Sequence, residues 1–512
     1  MNYSLTCLFI PIVRRPFEVN TSKYILFPIC LYLIVYIWHS KHNCCLQGFP
    51  ITLIELKQLT FSLQSSLLLI SLIFVTTSVS LKIPRLSPTG GQFIHGNYWT
   101  QGRPSEASSS EFDNKDLQTF YYKQTLDHFN FRYDSFNNFQ QRYLINSKHW
   151  GGSNISAPIL AYLGAEESID VDIPIIGFLP ENAIHFQALQ IYIEHRYYGE
   201  SIPFGSTEVA FKNASTLGYF NSAQAIADYA EILIHVKKQL HAEHSPCLLP
   251  WFRLKYPHVA LGALASSAPI LYFDDIVPPE TGYYSIVTKD FREASETCYQ
   301  IIKKSWSEID IIASKPEGLS SLSKKFRTCR PLTTSSELKD YLDSMYARAA
   351  QYDRPPNYPV TVVCGGIDGA SSTDDILTKI FAGVVAYTGN QSCYVNQPRN
   401  VTERHVGWAW QTCSDMVIPI SVNNDTMFPP YKFDLDEFIN NCKATFGVPP
   451  RPNWVTTYFG GHVWSHCLDI FTSNHADPDW LVNQRKSEVR IIKGWMAKYF
   501  ADLQALQQEI PR

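Results

Sequence analysis

Two stretches decide the fold: APILAYLG at 157–164 and ALQIYIEHRYYG at 188–199. Each is a near-continuous apolar run that closes on a glycine, the pattern of a strand buried on both faces of a parallel sheet. Downstream, NSAQAIADYAEILIHVKKQL (221–240) places Ala225, Tyr229, Ile232, Leu233 and Val236 at helical spacing, with Ser222 as the expected cap. Strand and helix alternate, which predicts an α/β body around a parallel sheet.

Working outward, WFRLKYP followed by VALGALASSAPI (251–270) predicts a short helix and then a further buried strand. Ordered structure is expected to start near FYYKQTLDHFNF (120–131), because the Pro-, Gly- and Ser-rich 81–115 reads as a flexible leader. From about 271 to 440 the texture is more charged, with helical patterns such as SELKDYLDSMYARAAQY (336–352). This segment predicts a helical cap inserted between a first part of the body (116–270) and a second part (441–512). A final amphipathic helix is expected from about 480, with Val489, Ile492, Trp495, Met496 and Phe500 on one face.

Residues 1–80 form an N-terminal extension with two apolar runs. The run at 66–80, SLLLISLIFVTTSVS, has the length of a signal-peptide core and ends in small residues, so it reads as a secretory signal. The run at 24–38 is short for a membrane span and is interrupted by Pro28; as an alternative it is an uncleaved anchor. Sequons at Asn154, Asn213, Asn390, Asn400 and Asn424 fit a secreted glycoprotein. Eight cysteines follow residue 80 without any CxxC pair, which favours disulfides over zinc, with the pairing left open. No metal or other cofactor is expected. The extension holds five of the 43 basic and two of the 47 acidic residues, so the remainder carries a net charge of −7. A mildly acidic body argues against nucleic acid as a partner.

The motifs then point to a family. YYKQTLDHFNF, FQQRYLIN, IEHRYYGESIPFG, QAIADYA, WFRLKYPHVALGALASSAPI, VTVVCGGIDGA, FGGH, SHCLDI and DPDWLVNQR together resemble the lysosomal Pro-X carboxypeptidase and dipeptidyl peptidase II family of serine peptidases, most of all its plant members. The resemblance covers nearly everything from about 116 to 512. It implies an α/β-hydrolase body with a helical cap. It also implies a serine exopeptidase that cleaves peptides next to proline, in lysosomes, vacuoles or outside the cell.

Such chemistry needs a serine on a tight strand-to-helix turn, a histidine to take its proton and an aspartate to orient that histidine. The resemblance implies a G-G-S-Y-G-G type elbow just before WFRLKYP, where this chain has only SPCLLP. No GxSxG occurs anywhere. Ser201 is followed by Ile-Pro, and Ser266 and Ser267 are structural in the family pattern. The family's NG-x-x-DP loop, which carries the catalytic aspartate, is expected between FGGH and the histidine motif, but Gly461–His462 runs almost directly into His466. Asp469 belongs to the matched scaffold. His466 occupies the catalytic histidine's position, without its serine and aspartate. Gly164 and Ala165 are oxyanion-hole candidates at the end of a central strand, and Glu166 is a candidate contact for a substrate terminus. Glu194, His195 and Arg196 read as a satisfied structural network. Two clean losses between intact motifs predict that two central strands are missing. The leading reading is an incomplete or spliced form of a proline-directed exopeptidase, catalytically defective as it stands. The alternative is a non-catalytic relative that binds peptides or partners.

Overall fold

The computed structural model describes residues 116–130, 137–248, 252–265, 272–273, 277–355, 357–398, 403–459 and 470–509. The chain divides into two units, Met1–Thr77 and Ser78–Arg512, and every described residue lies in the second. The signal or anchor runs at 24–38 and 66–80 and the leader at 81–115 therefore lie outside the described residues. Among the described residues no helix is long and apolar enough to cross a membrane.

The body is α/β. Its sheet contains β1 (Gln118–Thr125), β2 (Asn138–Asn146), β3 (Ile159–Leu163), β4 (Leu189–Ile193) and β5 (Cys247–Leu248), in the order β1-β2-β4-β3-β5. β1 and β2 run antiparallel to their neighbours, whereas β3 pairs in parallel with both β4 and β5. The apolar runs became strands for the expected reason. All five residues of β4 and the first three of β3 are buried, so the hydrophobic driving force acts on both faces. β3 meets β4 along its whole length, from Ile159 opposite Leu189 to Leu163 opposite Ile193. It meets β5 only at Ile159 and Leu160.

The helices that matter for the site are α1 (Phe178–Phe186), α2 (Ser222–Gln239) and α3 (Phe252–Lys255), then α4 (Tyr283–Ala294), α5 (Glu296–Ala313), α6 (Ser335–Gln351), α7 (Pro359–Asp368), α8 (Ile376–Thr388), α9 (Glu403–Thr412), α10 (Leu435–Phe446) and α11 (Asp479–Glu509). Helices α4 to α8 pack on one another. They share one buried cluster with the sheet and α2, in which Ile159, Ile191 and Leu233 join Phe291, Tyr346 and Val363. Disulfides tie this region together: Cys298–Cys364 links α5 to α7, and Cys329–Cys393 and Cys413–Cys442 close further loops. Helix α11 lays Val489, Ile492, Trp495 and Met496 on a second cluster with Leu160, Phe178 and Tyr192. Phe500, expected on that face, is half-buried and stacks edge-on with Tyr499 instead.

Two expectations are corrected. The strand predicted within 251–270 does not form over 259–265, and 266–270 lie outside the described residues. A strand needs a ladder, and β5 offers two residues. Among the described residues Leu261 N donates to Cys247 O at 2.7 Å, and Gly262 forms an isolated bridge rather than a strand. The cap of α2 is Asn221, not Ser222: the Asn221 carboxamide accepts from Gln224 N at 3.1 Å. Ser222 sits one residue further in and turns to Asp415, donating from both its backbone N (2.9 Å) and its hydroxyl.

Candidate active site

The C-terminal end of β3 carries Gly164, Ala165 and Glu166, where an α/β body places backbone amides for an oxyanion. A methyl group on Gly164 would sit 2.8 Å from Ile193 O and 2.9 Å from His195 N, so β3 and β4 close on each other here only because residue 164 has no side chain. Both candidate amides are engaged. Gly164 N donates to Ile193 O at 2.8 Å, and Ala165 N donates to Asp172 Oδ2 at 3.3 Å. Asp172 is fully buried. Burial and the neighbouring charge of Glu167 push its carboxyl well above the usual range, against the opposing hydrogen bonds from Ala165 and Tyr162. Glu166 and Glu167 are buried beside it.

The residues after β4 form the structural network that the sequence suggested. Glu194 accepts from Arg142 (2.6 Å), Ser201 Oγ (2.7 Å), Glu200 N (2.9 Å) and Ile169 N (3.2 Å). Gly199 adopts φ +56°, and a methyl group there would collide with the Glu194 carboxylate. Ser201 is buried and committed, since its hydroxyl also accepts from Arg142 N at 2.9 Å. Arg196 is fully buried and bonds bidentately to Asp228 on α2, at 2.6 and 2.5 Å. Its remaining donors reach the carbonyls of Leu126, Tyr219 and Thr125. His195 donates from Nδ1 to Arg196 O at 2.7 Å, and burial lowers its pKa to about 4, so the ring stays neutral.

From here the site reaches toward the later chain. Tyr198 donates to Gln411 at 2.7 Å, Trp410 donates to Phe220 O at 2.8 Å, and Ser222 is held by the buried Asp415. These contacts bring the end of α9 against the mouth of the sheet. Sequence reasoning did not single out Gln411 or Asp415, because their partners lie about two hundred residues away in the chain. His466, Ser266, Ser267, Asp469 and the sequon at Asn400 lie outside the described residues. The other four sequon asparagines, Asn154, Asn213, Asn390 and Asn424, are exposed.

Comparison with known proteins agrees with this architecture. The model of the serine carboxypeptidase S28 family matches residues 124–458. The chain belongs to that family. A lysosomal Pro-X carboxypeptidase of Pongo abelii is 32% identical over 502 residues, covering 85% of this chain and 97% of the relative. The corresponding Homo sapiens protein is 34% identical over 407 residues, covering 73% and 80%. A thymus-specific serine protease of Homo sapiens is 26% identical, covering 70% of this chain and 75% of its own length. The S28 scaffold is thus a peptidase scaffold, and its α/β-hydrolase fold is the fold of this chain.

Proposed function

We propose that this chain carries the scaffold of a serine exopeptidase that cleaves peptides next to proline, and that in this form it cannot complete the reaction. One observation carries the reading. β5 ends at Leu248 and α3 starts at Phe252, so only three residues of the sequence, Leu249, Pro250 and Trp251, separate the strand from the helix. That is where an α/β-hydrolase holds its nucleophile, and none of the three offers a hydroxyl or thiol. Support also comes from the Pongo abelii relative. Its alignment spans 502 positions, more than the 85% of this 512-residue chain that enters it, so the relative carries residues that this chain lacks. His466, left without a serine or an orienting aspartate, has no proton to take.

The names of the relatives favour carboxypeptidase over dipeptidyl peptidase action for a form that retains the elbow. In this reading residues 271–440 are the cap that closes over the body, and the Gly164 and Ala165 amides, bonded here to Ile193 O and Asp172, with Glu166 beside them, mark the substrate end of a form that retains the elbow. Three disulfides support maturation in the secretory pathway, ending in a lysosome, a vacuole or outside the cell, with glycans on the exposed sequons. The test is a fluorophosphonate probe on the purified chain. No covalent adduct is expected; an adduct, mapped to any serine, refutes the reading.

One feature favours the second reading, a non-catalytic peptide or partner binder. A cavity of about 630 Å³ opens between Pro279, Val417, Pro419, Tyr431, Phe433 and Pro452, a mostly apolar lining that also carries Glu280 and Lys432 and could take an extended peptide. Saturable binding of proline-containing peptides to the unlabelled chain supports it, and its absence removes it.

A further inference from the structure

Away from the end of β3, one more cluster of buried charge stands out. His128 follows β1 and packs against α2 with a side chain only 7% exposed. Its Nε2 lies 2.7 Å from Asp228 Oδ1, and its Nδ1 lies 3.4 Å from Glu231 Oε1. Its backbone N donates to Gln224 Oε1 at 2.9 Å. The surrounding groups come from every packed element. β1 supplies Gln124, whose Nε2 lies 3.1 Å from His128 Nε2 and donates to Glu231 Oε2 at 3.0 Å. The turn itself supplies Asp127, held by Gln224 Nε2 at 2.6 Å, and Phe129, edge-on to the imidazole. α2 supplies Asp228 and Glu231, and the segment after β4 supplies Arg196 behind Asp228.

We propose that His128 is a proton-operated latch that fastens the end of β1 onto α2 in acidic surroundings and loosens as the pH rises through neutrality. With His128 neutral, Asp228 has Arg196 as its cation, whereas Glu231 is met by the uncharged Gln124 amide and the neutral ring. With His128 protonated, two cations face those two carboxylates. The neutral ring can donate from Nε2 to Asp228 but then turns the Nδ1 lone pair toward the Glu231 carboxylate. Protonation converts that contact into a second charge-assisted hydrogen bond. Burial on its own disfavours the imidazolium, but the bonds to Asp228 and Glu231 outweigh it and raise the pKa above 6.5. The linkage sign follows. A histidine whose folded-state pKa is raised contributes stability that is fully present below its ordinary pKa and is lost as the pH climbs through the raised value. His195, buried and neutral, contributes with the opposite sign, so comparison with a His128 variant is what isolates the latch.

The experiment is histidine C2–H deuterium exchange on the full chain, read by mass spectrometry across pH 4–9, which gives a titration midpoint for each imidazole. His128 is expected to exchange slowly with a midpoint above 6.5, and Glu231→Gln is expected to lower that midpoint by about half a unit. Glu231 is 38% exposed and its bonds run to His128 and Gln124, so the variant leaves the Arg196–Asp228 bonds in place. Backbone exchange over β1 and α2, corrected for intrinsic rates, is expected to be slower at pH 5 than at pH 7.5 in the wild type. That contrast is expected to shrink or reverse in His128→Gln, where His195 still contributes with the opposite sign. A midpoint at or below 6.5, or one that Glu231→Gln leaves in place, overturns the proposal.

Discussion

Replacing Arg196 by methionine tests the central structural claim, that the segment after β4 is a buried charge network and not a substrate site. Arg196 and Asp228 are both fully buried, and the guanidinium makes two bonds to the carboxylate and three to carbonyls. Arg196→Met fills much of the volume but leaves Asp228 as a buried carboxylate facing only His128 among its charged partners. It also strands the carbonyls of Leu126, Tyr219 and Thr125. Removing one member of a buried pair costs about 3–5 kcal/mol, because the survivor keeps its desolvation penalty without its partner. Against a total stability of about 5–15 kcal/mol this is a large fraction. Native-state amide exchange over β4 and α2 reads the loss locally, and protection is expected to fall by that amount or to disappear. The double variant Arg196→Met/Asp228→Asn removes both charges and is expected to recover part of the loss, a positive coupling between the two sites. If Arg196→Met stays within about 1 kcal/mol of the wild type, the pair is not what holds β4 to α2, and the reasoning fails.

Two further predictions concern packing and protonation. Gly164→Ala pushes a methyl group into Ile193 O and His195 N, and should lower the urea midpoint by an amount equivalent to about 1–3 kcal/mol; an unchanged midpoint would mean that the β3–β4 closure relaxes freely. Burial, reinforced by the nearby charge of Asp353, raises the Asp290 carboxyl to about 6. The folded state therefore holds a proton that the unfolded state has released between about pH 4 and 6, and stability falls as the pH rises through that window. Asp290→Asn should leave the melting temperature unchanged near pH 4 and raise it at pH 7.5 by the equivalent of about 1 kcal/mol, after allowing for solvent screening of this partly exposed group. Equal effects at both pH values would contradict it.

The elements themselves were largely legible in the sequence. The runs at 157–164 and 188–199 hold β3 and β4, the periodicity of 221–240 and 336–352 holds α2 and α6, and the final amphipathic pattern holds α11. The strand read into 259–270 was not over its described part, 259–265, because an apolar run becomes a strand only beside a partner, and β5 is two residues long. The cap of α2 was misplaced by one residue, since both Asn221 and Ser222 are good caps and only the pull of Asp415 separates them.

For the candidate site the division falls in the same place. The lack of a serine elbow and the run of FGGH into His466 are properties of the chain itself, and no folding can supply a hydroxyl that residues 249–251 do not carry. Local periodicity is likewise written residue by residue, because 3.6 and 2.0 residues per repeat are fixed by backbone geometry. Tertiary structure alone decided which cysteines pair, and that Ala165 N turns to Asp172. It alone set the strand order β1-β2-β4-β3-β5, gathered His128 and Arg196 around the buried carboxylate of Asp228, and set Glu231 against His128. Those outcomes depend on side chains about a hundred positions apart, such as His128 and Asp228, meeting at hydrogen-bond distance. Burial then turns each approach into a strong interaction or a heavy penalty.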